Sequence, residues 1–344
     1  MKKFYILSTN DYTWKEKFNL FPPNQRDIFY SLEFAKLCQD TIYKNYNVLC
    51  LVAQDDKDLI ICPIILRKFY NENTGLFFYD LSSLYNQGGP IFTNLENKKL
   101  QEFFEKNLNI FCKKKKIINY FIRFHPIIKN HEIKLSNCQK EVTGDFITVN
   151  LEKLSPNPVL NFQHRHRKSI KKAINNKIEI VISNDDKYIS EFYNIYSEEM
   201  KNKVAEKFYF FPFNFFKNIK NYTYEFKFFY AFYEEKMISC ELVFFNDFYC
   251  HSYLGATVSD YKDLCANHLL KTKIIEYFRE IGVKYYLIGG GSKGILHYKK
   301  GFSNEKPRNN IIGLIYYDKK YCNELKKQFD LIEAQKLQFY ENLI

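Results

Sequence analysis

Glycine, proline and tryptophan are scarce in this chain of 344 residues, which contains 12 Gly, 9 Pro and 1 Trp. This scarcity excludes a collagen-like chain and a Gly/Pro-rich disordered one. The hydrophobic fraction of 46% is large enough for a full core, and the length favours two domains. Because glycine is rare, any place where several glycines cluster requires a physical explanation.

Long apolar runs are also missing, as are paired cysteines. No run approaches the roughly 18 apolar residues of a membrane helix, and the N-terminal apolar stretch is too short for a signal peptide. The nine cysteines form no C-x-x-C pair, and several, such as Cys62 and Cys240, lie in apolar runs. This pattern is typical of buried free thiols in a reducing compartment. We therefore expect a soluble, cytoplasmic protein without a transmembrane segment.

Two sequence signals of catalytic sites are absent as well. The chain has no P-loop, and no cysteine has a nearby His or acid that would mark it as a nucleophile. His164 and His166 are two residues apart and unsuited to one helix face, so we predict no metal site. Attack of a substrate amine on an activated acyl donor needs only positioning, an oxyanion donor and a base, and is compatible with these absences. A protein without catalytic activity is compatible with them too.

The net charge of +12 favours anionic partners such as nucleotide phosphates, tRNA, acidic glycans or an anionic membrane surface. The chain is also rich in Lys, Asn, Ile, Phe and Tyr together, a bias that AT-rich coding produces. Both explanations of the charge stay open, and single lysines or aromatic residues are weak evidence for function.

The alternation of helix and strand patterns predicts an α+β fold in which helices pack on mostly antiparallel sheets. The segment "EKLSPNPV" carries Pro156 and Pro158 and is the best boundary, which gives domains over residues 1–150 and 151–344. The order of elements is similar in both halves and suggests a duplicated unit. A helix predicted over 321–343 could return to the first domain.

The segment "LIGGGSKGILHYKKGFS" contains the glycine cluster. Gly289, Gly290 and Gly291 follow a predicted strand, where consecutive glycines suit a tight turn or a close backbone approach. Lys299 and Lys300 could then stabilise a carboxylate, a phosphate or an oxyanion. The alternative is a flexible loop with solvated lysines.

Three further segments are candidates for binding, each with a structural alternative. The strand ending at Gly255 and Ala256 precedes a helix opened near Asn267, an arrangement that holds anions but is more often a plain connection. "HRHRKSIKK", which contains Arg167, is either an anion-binding helix start or a basic surface helix. "SSLYNQGGPIF" places Tyr85 beside Gly88 and Gly89, and the structural alternative for these glycines is a turn.

Taken in order, several segments resemble the FemABX-type, GNAT-like acyltransferases. "FYDLSSLYNQGGPIF" resembles an acid–Tyr–Gly-Gly-Pro pattern, and Arg167 begins a segment similar to the basic "R-x-x-I-x-K-A" helix. Tyr209 lies at the aromatic position of another helix. The segment from Tyr253 through the Asn-Leu-Leu helix to Gly290 and Gly291 is the best match. "LHYKKGFS" is similar to "F-K-x-G-F", with Tyr298 in place of Phe and Lys299 as the family lysine.

This resemblance implies two tandem GNAT-like domains, with the acceptor on the first, the acyl donor on the second and the substrate bound in a cleft. Lys299 would then stabilise the donor or the transition state, and Tyr85 and Tyr209 would shape the acceptor site. Tyr253 is a weaker candidate for taking a proton. The chain lacks the long coiled-coil insertion of some tRNA-dependent members and the coenzyme A loop of GNAT enzymes, so the choice of donor stays open.

The working hypothesis is an N-acyltransferase of cell-envelope biosynthesis that acts on an amine of a sugar or peptide. The co-substrate would be acyl-CoA or aminoacyl-tRNA, with no tightly bound cofactor. The acceptor would be a nucleotide- or lipid-linked peptidoglycan or glycan precursor, and peripheral contact with an anionic membrane is compatible with the charge. The rivals are a tRNA- or glycan-binding module without catalysis and a scaffold of a surface-glycan pathway.

Overall fold

The structure is a computed structural model that describes residues 1–71, 75–319 and 322. The chain divides into two compact units, of which the first comprises Met1–Thr143 and the described residues from Asn310 onward. The second unit is Gly144–Asn309. The sequence-based boundary lay at residues 150 and 151. The helix predicted over 321–343 falls outside the described residues, apart from Cys322.

The helices and strands follow one another along the chain with short connections. The first part contains β1 (Lys3–Ser8), α1 (Thr13–Asn19), α2 (Leu32–Thr41), β2 (Asn47–Gln54), β3 (Leu59–Asn71), β4 (Leu76–Ser82), β5 (Ile91–Phe92), α3 (Lys98–Lys115), β6 (Ile117–Arg123) and β7 (Cys138–Asn150). The second part contains α4 (His164–Asn175), β8 (Glu179–Ile182), α5 (Ile189–Asn202), α6 (Phe213–Asn218), β9 (Phe226–Tyr233), β10 (Lys236–Phe245), β11 (Tyr249–Thr257), α7 (Ala266–Glu280), β12 (Tyr285–Gly289), α8 (Lys293–Lys300) and β13 (Arg308–Tyr316).

The sheet of the first unit has the strand order β1-β2-β3-β4-β6-β13, and β5 pairs with β3. All of these pairs are antiparallel except β4–β6. Helix α3 packs on β2, β3 and β6 because one of its faces is apolar, with Phe104 and Leu108 fully buried. Ser31 caps helix α2 by accepting a hydrogen bond from the Phe34 N–H, as such a residue should.

The sheet of the second unit runs β7-β12-β11-β10-β9-β8, and its one parallel pair is β11–β12. Helix α7 packs on β8 to β11 and against α4, over a core that includes Ile274, Phe278 and Phe229. Helix α5 packs on β10 and β11, together with α6. The hairpin turn between β9 and β10 lies at Glu234 and Glu235, and both residues have positive φ as a two-residue hairpin loop requires.

Each unit is therefore a mixed, mostly antiparallel sheet with helices packed on it. This arrangement confirms the α+β fold class. No helix among the described residues has the length and apolar character needed to cross a membrane. All nine cysteines are described, and each has a free thiol.

The segment after β12 is not the flexible loop that the sequence left open as an alternative. Lys293–Lys300 form helix α8, so that Tyr298, Lys299 and Lys300 are helical residues. A helix of eight residues that contains a glycine is marginal by itself, and contacts with α4 and α7 stabilise it. The prediction that Asn267 opens α7 was close, because the helix begins one residue earlier, at Ala266.

Candidate active site

A tight glycine corner joins β12 to α8. Gly289 and Gly291 have φ values of +93° and +143°, which residues with a Cβ rarely adopt. A Cβ on Gly291 would also lie 2.6 Å from Cγ2 of Ile295. The corner therefore requires glycine at these positions, and it brings α8 back to the end of β12.

Lys299 reaches back from α8 to this corner. Its Nζ donates a hydrogen bond of 2.6 Å to the carbonyl oxygen of Gly290. Burial, followed by the charge of Lys271, lowers the pKa of Lys299 to about 7, while Glu241 opposes the shift. Lys299 is thus a partly buried residue of α8 whose amine lies at the C-terminal end of β12.

A buried polar network lies beneath this corner. Lys271 on α7 donates to both carboxylate oxygens of Glu241 on β10, at 2.7 and 2.6 Å, and to the Ser252 hydroxyl on β11 at 3.0 Å. Tyr286 on β12 donates to Glu241 at 2.5 Å, and its hydroxyl accepts from Lys271 at 2.9 Å. Burial and Glu241 raise the pKa of Tyr286 well above its ordinary value. The ion pair between Lys271 and Glu241 therefore links α7, β10, β11 and β12.

The parallel strands of this sheet separate near the corner. β11 and β12 pair only from Tyr249↔Tyr285 to His251↔Leu287 among the described residues. β11 then continues to Thr257 while β12 ends at Gly289. One edge of the Ser252–Thr257 backbone is thus not paired with β12, and such an edge can bind an extended ligand through its amides. Gly255 is exposed on this part of β11, and Ala256 is buried next to it.

Helix α8 is fixed to both neighbouring helices. The Tyr298 hydroxyl donates to the Asn267 carbonyl at 3.2 Å, at the start of α7. His166 of α4 contacts the Tyr298 carbonyl through Nε2 at 2.8 Å. Lys300 forms an ion pair of 2.7 Å with Asp145. The structure thus brings together Lys299, Gly290, Gly291, Tyr298 and Asn267.

Tyr253 has a different environment from Lys299. Ser252 faces Lys271, and Tyr253 follows it at an irregularity in the β10–β11 pairing. The Tyr253 ring packs in an aromatic cluster with α6, with ring centroids 4.8 Å from Phe244 and 6.0 Å from Phe215. The structure does not bring Tyr253 and Lys299 together.

Arg167 and Tyr209 are exposed residues of the second unit. Arg167 donates hydrogen bonds to the carbonyls of Leu160 and Phe162, at 3.2 and 3.3 Å, and so holds the turn that precedes α4. The Tyr209 side chain is exposed next to Phe208, and its carbonyl accepts from the Tyr196 hydroxyl at 2.7 Å. Neither is among the residues that contact the glycine corner in the described part of the chain.

Tyr85, Gly88 and Gly89 belong to the first unit. The Gly88 carbonyl accepts from the Tyr30 hydroxyl at 2.8 Å and from Asn130 at 2.7 Å, and its N–H donates to Arg123 at 2.7 Å. Gly89 is buried with a φ of +79°. Packing and backbone contacts therefore explain the presence of glycine at both positions. Tyr85 is partly buried in the same loop.

The comparisons with known proteins identify the fold. No protein-family model matches the chain, and no curated protein does either. A solved structure of FemX matches with a TM-score of 0.69 at 10% identity, over 97% of this chain and 100% of that one. A tandem GNAT protein from the clavulanic acid biosynthesis pathway matches with a TM-score of 0.57 at 8% identity, over 92% and 98%. The chain has the tandem GNAT-like fold of the FemABX type. L-PGS from Bacillus licheniformis also matches, with a TM-score of 0.51 at 10% identity over 76% of this chain and 82% of that one.

In the second GNAT-like unit, the sequence indicated the corner and Lys299 but not the network beneath them. Glu241 and Lys271 are 30 residues apart, on a strand and a helix, so no local spacing relates them. The available signal was a charged residue inside each of two apolar segments, "MISCELVFF" and "NHLLKTKII". Such residues are rarely buried unless they are paired, which makes them candidates for one another.

Proposed function

We propose that the protein is an N-acyltransferase that transfers an acyl or aminoacyl group from acyl-CoA or aminoacyl-tRNA to an amine. The proposed acceptor is a nucleotide- or lipid-linked glycan or peptidoglycan precursor of the cell envelope. In this reaction the amine attacks the carbonyl carbon of a thioester or ester, so the protein has to orient the two substrates and stabilise the oxyanion.

The observation that carries this proposal is the position of Lys299 at the end of β12, beside the strand edge of β11 that β12 leaves unpaired. The amides of the Ser252–Thr257 segment would hold the donor in an extended conformation, with Gly255 leaving the backbone accessible. The donor carbonyl would then lie near the Lys299 amine. Asn267 and Tyr298 contribute by fixing α8 to the start of α7.

The fold neighbours support the same reaction class. FemX, a tandem GNAT protein and L-PGS share this architecture, and the net charge of +12 suits phosphate-bearing substrates. We propose Tyr85 and Tyr209 as acceptor contacts, with Gly88 and Gly89 shaping the loop that carries Tyr85. Arg167 and the exposed lysines of α4 would contact phosphates of either substrate.

A donor panel tests the proposal. Purified protein is incubated with acyl-CoA esters or charged tRNAs and with nucleotide-linked amino sugars and muropeptides, and products are detected by intact mass. Lys299→Ala should lower turnover about 100-fold or more while leaving the thermal unfolding midpoint unchanged. Lys293→Ala, an exposed lysine on the same helix, is the matched control and should keep full turnover. Wild-type turnover in Lys299→Ala would contradict the proposed site.

One observation favours a second candidate, a tRNA- or glycan-binding module without catalysis. Helix α4 presents the exposed residues Arg165, Arg167, Lys168, Lys171 and Lys172. An exposed basic surface of this kind binds phosphate backbones with an affinity that falls steeply with salt. Salt-sensitive tRNA binding, combined with no transfer from any donor, would favour this candidate.

A further inference from the structure

Lys299 is a partly buried lysine whose amine hydrogen-bonds to a backbone carbonyl. Its Nζ is bound by the neutral carbonyl of Gly290, and among the described residues no carboxylate forms an ion pair with it. Glu241 is the acidic group whose charge acts on Lys299, but both of its oxygens already accept from Lys271. A partly buried ammonium without its own anion is less favourable than a neutral amine that is hydrogen-bonded.

The ionisable groups around Lys299 come from several elements. They are Lys271 on α7, Glu241 on β10, Tyr286 on β12, His166 on α4, which contacts the adjacent Tyr298, and Asp145 on β7, which pairs with Lys300. Asp145 is neutralised by Lys300, and Glu241 by Lys271. The cation of Lys271 therefore acts on Lys299 from a fixed distance, held by the Glu241 carboxylate and the Ser252 hydroxyl.

We propose that Lys299 is the general base of the transfer reaction, and that Lys271 and Glu241 are positioning residues that keep it unprotonated. The inference rests on the function proposed above. A neutral amine that donates one N–H to Gly290 keeps a lone pair available, and this lone pair accepts the proton of the attacking amine. The pKa of about 7 for Lys299 agrees with this role at physiological pH.

The acyl transfer and its proton transfers need no further reactant. The acceptor nitrogen forms a bond to the acyl carbon, and its proton moves to the Lys299 Nζ, which becomes an ammonium. This ammonium lies beside the oxyanion. As the carbon–sulfur or carbon–oxygen bond to the donor breaks, the leaving thiolate or alkoxide takes the proton, and Lys299 returns to the neutral amine.

The other ionisable groups near the corner are poorer bases. The hydroxyls of Tyr286 and Tyr298 donate to Glu241 and to the Asn267 carbonyl, and burial raises the pKa of both well above the usual value. His268 has a pKa of about 4 because it is buried next to His166. At neutral pH the Lys299 amine combines a free lone pair with a suitable basicity.

The substitution Lys299→Arg distinguishes a general-base role of Lys299 from a role as a fixed positive charge. Arginine keeps the charge next to the oxyanion but does not deprotonate in proteins. If Lys299 is the base, Lys299→Arg should lose turnover about 100-fold or more, as Lys299→Ala does. Turnover within about threefold of wild type in Lys299→Arg would overturn the inference and leave Lys299 as an oxyanion-stabilising cation.

The substitution Lys271→Met tests the positioning role. It removes the neighbouring cation and leaves Glu241 available to Lys299, so the acidic limb of the pH–rate profile should move up by about one pH unit or more. A merely structural role would lower turnover without moving this limb. If the acidic limb of the pH–rate profile stays in place in a folded Lys271→Met variant, the positioning role of Lys271 and Glu241 is overturned.

A measurement on the wild-type protein requires neither substrate nor a folded variant. Trace labelling by acetic anhydride from about pH 5 to about pH 10, read by peptide mass spectrometry, reports the protonation of each lysine. Lys299 should show a midpoint near 7, and exposed Lys293 on the same helix serves as the control for reagent access. A Lys299 midpoint near 10, with transfer intact, would overturn the general-base role of Lys299 but not the proposed function. A midpoint near 7 without transfer from any donor would contradict the proposed function, and the base role would fall with it.

Discussion

Gly301 and His166 are in such close contact that no side chain fits at position 301. A Cβ built on Gly301 would lie 1.9 Å from Cε1 and 2.2 Å from Nε2 of His166. The φ of Gly301 is −67°, so the requirement for glycine comes from space and not from backbone conformation. This contact sets how closely the end of α8, and with it Lys299, approaches α4.

Gly301→Ala should therefore destabilise the second unit. Overpacking of this kind costs about 1–3 kcal/mol of unfolding free energy, measured by chemical denaturation. Gly294→Ala is the matched control on the same helix, because a Cβ there meets nothing within 4 Å. Alanine is the better helix former, so the control should be neutral or more stable by about 0.5–1 kcal/mol. Equal stability of the two variants would show that His166 moves away at no cost.

The histidine pair between α4 and α7 predicts a loss of stability in acid. The rings of His166 and His268 are 5.0 Å apart, and burial, His166 and Arg165 lower the pKa of His268 to about 4. The pKa of His166 is lowered as well, mainly by burial. The unfolded chain then binds protons that the folded protein does not, so stability is complete above about pH 6.5 and falls as the pH drops towards 4.

The loss contributed by His268 should be on the order of 3 kcal/mol between about pH 6.5 and about pH 4, measured as unfolding free energy against pH. His268→Gln should flatten this part of the profile. His297 is exposed on α8, and His297→Gln should keep the wild-type profile. A His268→Gln profile as steep as that of the wild type would assign the acid sensitivity to other groups.

The fully buried ion pair of the first unit makes that unit sensitive to a conservative change. Arg67 donates to both oxygens of Asp80, at 2.8 and 2.6 Å, and neither side chain is exposed. Asp80→Asn removes the charge that compensates Arg67, and should cost about 3–5 kcal/mol of unfolding free energy. The exposed pair Lys284–Glu152 is the control, and Glu152→Gln should cost less than about 1 kcal/mol.

A second substitution distinguishes loss of the ion pair from loss of packing. Replacing both partners by apolar residues, as in Arg67→Met with Asp80→Leu, leaves no charge buried and should recover much of the lost stability. A double variant no more stable than Asp80→Asn would mean that shape, and not charge, makes this pair important.

Local patterns were sufficient for most of the secondary structure. The caps, apolar periodicities and turn residues of α2, α3, α7 and the β9–β11 meander act within a few residues of one another, so the local sequence contains these signals. Helix α8 was missed for the opposite reason. Its first residues follow three glycines, its length is marginal, and Tyr298 and Gly301 stabilise it through contacts with Asn267 and His166.

The amino-acid sequence by itself determined the α+β class, the free thiols, the glycine corner and the presence of Lys299 just beyond it. Only the tertiary structure decided what surrounds that lysine. Glu241, Ser252, Lys271 and Tyr286 come from four separate elements and meet under the corner because β10, β11 and β12 pair side by side beneath α7. Electrostatic interactions depend on distance in space and on burial, and neither quantity can be read from positions along the chain.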